Sequence, residues 1–342
     1  MSQFYLGVDL HLKRSYVILM DADGKMLDKR SLENSKMRDY LSEKVPPKTH
    51  AVLEATRNWP FMYDMLSEHV DRVDLAHPKE LKAIASAAVK TDRIDAGVLA
   101  HLARLNYLPV AYAAPTEVRD LRLWTRHRAW LIRQRTQCKN RIHAVLASYN
   151  YVSPVSDLFG LSGRAYLEDI MAGGMRSAAL RVIEDNMKLI DHLEQEIEAL
   201  ERDLELTPEQ RDRVRLLRTV PGIGGVHAVT ILAEIGDIQR FNSPKALCNW
   251  AGLTPRVRKS DRIARYGRIS KQGSPYLRAA MVQAASVAVR VSPRWKIIYD
   301  RLALRCGKMA ARVAVGRRLL TVVYCMLKRE EPYCEDYQAQ PR

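Results

Sequence analysis

The 342-residue chain has little of three things that often decide a protein's class: cysteine, long apolar runs and, in its last third, acidic residues. Its five cysteines, Cys138, Cys248, Cys306, Cys325 and Cys334, are odd in number and form no Cys-x-x-Cys pair, which argues against a disulfide framework and a structural zinc. No apolar run approaches the ~18 residues of a membrane-spanning helix, so no membrane partner is expected. The opening MSQFYLGVDLHLKR lacks the basic start, apolar core and small-residue cleavage site of a secretory signal, and a cytoplasmic protein is expected. No internal repeat or low-complexity tract stands out.

What is present in excess is positive charge. Lysine and arginine number 55 against 39 acidic residues, a formal net charge of +16, while 47% of residues are apolar. The apolar fraction excludes a wholly disordered basic tail, and the charge makes a polyanion the default partner. At about twice the usual single-domain length, the chain is expected to form two or three folded units. The charge is unevenly placed: residues 1–110 are net +1, 111–155 net +6, 156–210 net −8 and 211–342 net +17. A polyanion should therefore be held by the last third and by one middle helix, leaving the first segment another task.

That first segment reads as α/β. Apolar, β-prone runs at 3–8, 15–20 and 25–31, the latter two joined by Asp21-Ala22-Asp23-Gly24, predict a three-strand meander. Further strands are predicted at 50–53 and 70–76, with helices at 59–69, 79–89 and 94–105, giving a mixed α/β domain with a partly parallel sheet. Asp9 stands at the end of the first strand and Glu54 at the end of the fourth. KTDRIDA adds Asp92 and Asp95 at i,i+3, on one helix face. Taken singly these are a turn aspartate, a salt-bridge partner and a helix cap. Together they form the Asp-Glu-Asp-Asp set that ribonuclease-H-like nucleases and resolvases carry on such a frame, where carboxylates hold two Mg²⁺ or Mn²⁺ ions about 3.5–4 Å apart. The actin-like kinase fold also opens with an aspartate in a meander, but no glycine-rich phosphate loop occurs in the first 150 residues.

Residues 117–147 predict one long helix with Leu121, Trp124, Leu131, Cys138, Ile142 and Val145 on one face. The other carries Arg119, Arg122, Arg126, Arg133, Lys139 and Arg141 without i,i+4 acids, so phosphate contact is favoured over a merely solvated face. Farther on, Ile190, Leu193, Ile197, Leu200 and Leu204 repeat at three-four spacing among acids. This seam fits a coiled coil or an intramolecular hairpin, and it is assigned to protein contact and self-association.

In the basic last third, Pro-Gly-Ile-Gly-Gly between two apolar helical stretches resembles a helix-hairpin-helix, with Gly222 and Gly224 letting backbone approach phosphate. Downstream, Arg256, Arg258, Lys259, Arg262, Arg265, Arg268 and Lys271 fall within sixteen residues beside one acid, Asp261, and are expected to form basic loops on nucleic acid. Ser260 and Ser270 lie among them. By composition alone each is a phosphate hydrogen-bond donor, since neither has an activating base nearby in sequence.

The four carboxylates, the PGIG turn, AGLTPR and SKQG-x-x-x-LR together resemble the DEDD transposases of insertion sequences and the related pilin-gene invertase, over nearly the whole chain. The resemblance implies α/β plus α architecture: a RuvC-like catalytic domain at 1–155, a helical coiled-coil oligomerisation segment at 156–210 and a mostly helical transposase domain at 211–342. It implies Mg²⁺ at Asp9, Glu54, Asp92 and Asp95, and a serine nucleophile just after LTPR, which is Ser260, with Ser270 the weaker candidate. It further implies action on double-stranded donor and target DNA, a noncoding bridge RNA as guide, and a homodimer or tetramer with active sites shared between subunits. A RuvC-like nuclease using water and a non-catalytic DNA-binding protein are the alternatives.

Overall fold

Alternation sets the first strand. In Phe4–Leu10 (β1), Leu6, Val8 and Leu10 are buried on one side of the sheet, leaving Tyr5, Gly7 and Asp9 for the other. The computed structural model describes residues 3–84, 92–260 and 263–335. β1 continues into Arg14–Asp21 (β2) and Met26–Glu33 (β3), then Met37–Lys44 (α1), Thr49–Glu54 (β4), Trp59–Ser67 (α2), Arg72–Ala76 (β5), Pro78–Ile84 (α3), Asp92–Arg104 (α4) and Val110–Ala111 (β6). The strands form one six-stranded sheet in the order β3-β2-β1-β4-β5-β6. β1 to β3 are the antiparallel meander, β4 and β5 run parallel to β1, and β6 is antiparallel. This mixed sheet fits the RuvC-like fold.

The two faces are covered differently. Met37, Tyr40 and Leu41 of α1 and Met62 and Leu66 of α2 pack on Leu6, Val8, Val17 and Leu53. On the opposite face α4 brings mostly alanines to the sheet: Ala96 and Ala100 against Ile18 and Met20, and Ala103 with Leu99 against Val52 and Ala76. Small side chains let α4 approach β1 until backbone meets backbone at Gly7, where a β-carbon would overlap the Ala96 carbonyl oxygen. That approach sets the spacing of α4 from β1.

The chain divides into two compact units, Met1–Ala113 and Ala114–Arg342. The second contains Thr116–Ser148 (α5), Leu161–Ala172 (α6), Ser177–Arg202 (α7), Pro208–Arg218 (α8), Gly225–Ile235 (α9), Pro244–Trp250 (α10), Pro275–Val291 (α11), Pro293–Cys306 (α12) and Lys308–Arg329 (α13), with one antiparallel ribbon of Pro255–Ser260 (β7) and Ile263–Ile269 (β8). It is thus mostly helical. Its larger core joins α8 to α13 through Leu217, Ile231, Met281, Leu319 and Val323. A second core packs α6 and α7 on α5, burying Leu167, Ile183 and Ile190 against Ile142 and Leu146. The seam of α7 therefore meets α5 of the same chain, as an antiparallel pair. The Trp124 indole donates to the Leu200 carbonyl at 3.0 Å near one end, and Arg135 pairs with Glu194 at 3.4 Å farther along. Among the described residues no helix is long and apolar enough to cross a membrane.

Candidate metal centre and serine hairpin

Strand parity places the carboxylates. Asp9 shares the α4 face with Gly7, and Glu54 shares it with Val52, one residue past the Val8–Leu53 pair in the parallel register. Asp92 opens α4 and Asp95 follows one turn later. Between Asp9 and Asp92 lies His11, a residue outside the expected carboxylate set. His11 Nε2 is 3.3 Å from Asp9 Oδ2 and 3.4 Å from Asp92 Oδ1. Ligand atoms of Asp9, His11 and Asp92 all lie within 4.8 Å of one another. The signal was Asp-x-His at i,i+2, which puts both side chains on one face of an extended segment. Glu54 and Asp95 flank this trio without joining it.

The loop holding His11 is tied from three directions. The side-chain amides of Asn34 and Asn58 both donate to the His11 carbonyl, at 3.0 and 3.1 Å, and the His11 N–H donates to the Arg14 carbonyl at 3.1 Å. Asn34 is itself oriented by the buried Ser15 hydroxyl at 2.7 Å. Burial pushes the half-buried Asp9 carboxyl above its ordinary range; His11 opposes this, and the charges of Asp92 and Asp95 add to it. A carboxylate made costly by burial and by two like charges, with an imidazole and a second carboxylate in reach, is a donor set that a divalent cation would relieve. The residues fit such an ion.

In the helical unit, the stretch expected as basic loops is a β-ribbon with a locked base. Gly252 (φ +69°) and Gly273 (φ +67°) take left-handed conformations, and a β-carbon on either would overlap facing backbone, at Gln272 and Trp250 respectively. The Ser270 N–H donates to the Thr254 carbonyl at 2.9 Å, and Arg256 reaches the Ser270 carbonyl at 3.3 Å. Arg278 completes the base: its Nη1 donates to the carbonyls of Gln272 (2.6 Å), Ala251 (3.0 Å) and Gly273 (3.2 Å). AGLTPR and SKQG-x-x-x-LR are thus two halves of one clamp. Ser260 ends β7 and pairs with Ile263. Arg262 and the side chains of Arg258, Lys259, Ser260 and Arg265 lie outside the described residues; Arg256, Arg268 and Lys271 are exposed.

Residues 6–151 match the model for a DEDD transposase of the IS110 type, and residues 214–300 match that of the transposase IS116/IS110/IS902 family. The chain is 26% identical, over 96% of its length and 98% of the relative's, to a probable family 20 transposase of Pseudomonas aeruginosa. It is 22% identical to the transposase for insertion sequence element IS1111A of Coxiella burnetii, over 96% of this chain and 90% of that one. With the pilin gene-inverting protein of Moraxella bovis the identity is 25%, covering 83% and 81%. The chain carries both transposase domains of the IS110/IS116 family.

The structure divides the cations of α5 into those held by other helices and those left exposed. Arg122 donates to the carbonyls of Ala233 (2.6 Å) and Glu234 (3.1 Å). Arg126 grips the buried Glu234 carboxylate with two bonds of 2.8 and 2.9 Å, and the bonds to that carboxylate hold the guanidinium pKa above its usual value. Lys139 lies 3.7 Å from Glu194 and over the Phe159 ring. The acids come from α7 and α9, so they are not i,i+4 neighbours along α5. Arg133 and Arg141 are exposed and meet no acid among the described residues. At the PGIG turn, Gly222 packs on α11, where a β-carbon would overlap the Ala284 carbonyl, while Gly224 has open space before α9.

Proposed function

We propose that this transposase cleaves and rejoins double-stranded DNA through a covalent serine intermediate. The observation that supports the reading is the clamped ribbon: it is the only β-structure among the described residues of the helical unit, and its first strand ends at Ser260 in a stretch of sequence rich in Arg and Lys. The Ser260 oxygen attacks a backbone phosphorus and the 3′-oxygen leaves, so one ester replaces another and the products are a 5′-phosphoserine and a free 3′-hydroxyl. That exchange conserves the ester energy and can reverse onto a second strand.

The Asp9, Glu54, Asp92 and Asp95 carboxylates hold two Mg²⁺ or Mn²⁺ ions in this reading. When bound, these ions stabilise charge on the attacking and leaving oxygens. Asp9 and Asp92 come together with His11, Asp95 adds its field, and Glu54 stands at the neighbouring strand end. The carboxylate cluster of one subunit serves the serine ribbon of another in a dimer or tetramer, which restrains cleavage until a synaptic assembly forms. A noncoding RNA guides target choice, and Arg133, Arg141, Arg256, Arg258, Lys259, Arg262, Arg265, Arg268, Lys271 and the Gly222–Gly224 turn contact phosphates.

The test is strand transfer between donor and target DNA with Mg²⁺ and the RNA that copurifies with the protein. Parent protein yields joined products and Asp9→Ala does not. Full recombination by Asp9→Ala would overturn the metal assignment, and a preparation active after ribonuclease treatment would overturn the guide.

A further inference from the structure

α12 and α13, which run on past the end of the family match at residue 300, carry ten basic residues and one acid, Asp300, which already pairs with Lys296 at 2.9 Å. Three of these cations converge. Arg301 and Arg305, one turn apart on α12, and Arg318 of α13 line a cleft of about 240 Å³ whose other lining residues are Ile298 and Leu302. The three arginines are exposed, and none has an acidic or other hydrogen-bonding partner among the described residues. The arginines of α5 show what this chain does with guanidinium groups used for stability: Arg126, Arg128 and Arg135 all reach carboxylates.

Three guanidinium groups crowded together repel one another, at a cost that an anion would remove. Their planar forks suit phosphate oxygens, and Ile298 and Leu302 offer an apolar floor on which a sugar or base edge can rest. Leu304, exposed by 92% on the same helix, extends apolar surface beside the cluster.

We propose that Arg301, Arg305 and Arg318 form a phosphodiester-binding cleft, a nucleic-acid contact separate from the serine ribbon. The inference rests on the reading of the protein as a nucleic-acid enzyme, but not on its chemistry. The shared ligand chemistry is a sugar–phosphate backbone, supplied by DNA or by RNA.

The experiment measures binding of the full chain to a 30-base-pair DNA duplex and to a single-stranded RNA of equal length, by fluorescence anisotropy across a salt series. Replacing all three arginines by Gln should lower the slope of log K against log salt by about 2 to 3 for the polymer that occupies the cleft, since each phosphate contact contributes a little under one. The polymer whose slope moves is the occupant. A triple Arg→Lys variant keeps the charge and should keep most of the slope, which separates phosphate contact from misfolding. Unchanged slopes for both polymers with the Gln variant, or equal loss with the Lys and Gln variants, would overturn the cleft. Ser260→Ala should leave these slopes intact, so failure of the serine chemistry and failure of the cleft read separately.

Discussion

The Ala96 carbonyl occupies the space where a β-carbon on Gly7 would stand. Because Gly7 is two residues before Asp9 and Ala96 is one turn after Asp92, this backbone contact sets the distance between the strand carboxylate and the helix carboxylates. Gly7→Ala should push α4 outward, cost about 1–3 kcal/mol as overpacking does, and weaken divalent-metal binding more than a core substitution of equal cost far from α4. Thermal unfolding with and without Mn²⁺ measures both effects. A variant as stable as the parent would show that α4 is free to shift.

Asp9 gives the opposite signature. Its carboxyl is raised by burial and by Asp92 and Asp95 against the opposing effect of His11, so its ionisation destabilises the metal-free fold. The contribution is favourable below the unfolded value, near 3.8, and is lost as pH rises through the raised folded value. Asp9→Asn should therefore be more stable than the metal-free parent at neutral pH, with the gap closing toward acid. It should lose the stabilisation that Mn²⁺ gives the parent. Equal melting temperatures at every pH, or a retained response to Mn²⁺, would contradict this.

Arg126 and Arg133 lie two turns apart on α5 and should behave differently. Arg126→Ala strands the Glu234 carboxylate, which is 2% exposed, and should cost about 2–3 kcal/mol, less than a fully buried pair because Arg126 is 45% exposed. It should leave the salt dependence of DNA binding unchanged. Arg133→Gln paired with Arg141→Gln should do the reverse, leaving stability within about 0.5 kcal/mol and flattening the salt slope.

Arg278 serves the ribbon from beneath. Arg278→Ala removes charge-assisted bonds to three carbonyls and should cost about 1.5–3 kcal/mol. It should slow formation of the covalent DNA adduct by more than it weakens DNA binding, because the loss falls on the position of the ribbon. Arg278→Lys, with a point charge in place of a fork, should recover part of that rate. An unaltered adduct rate in Arg278→Ala would mean the clamp does not position the strand.

Much of the sheet was legible because period-two alternation and the Asp21-Ala22-Asp23-Gly24 turn are local signals. The long helix expected at 117–147 is Thr116–Ser148 for the same reason. What escaped were relations between distant segments. The groups that engage Arg122, Arg126 and Lys139 lie on other helices, the α7 seam found its partner in α5, and Gly222 meets α11 rather than open space. The cationic stretch reads as loop because Arg and Lys outnumber the β-formers. Its pairing is imposed by the Gly252–Gly273 base, which no window along the chain contains. His11 was visible as Asp-x-His, but imidazole is not among the carboxylates that the expected set contains.

The most direct test of the serine reading uses donor DNA labelled at the 3′ end of the strand to be cut, incubated with protein, copurified RNA and Mg²⁺, then denatured and resolved by mass. The parent and Ser270→Ala should carry the label on the protein, and digestion should place the phosphodiester on the peptide containing Ser260. Ser260→Ala should carry none. Adduct retained by Ser260→Ala, or strand cleavage by the parent with no adduct at all, would contradict it.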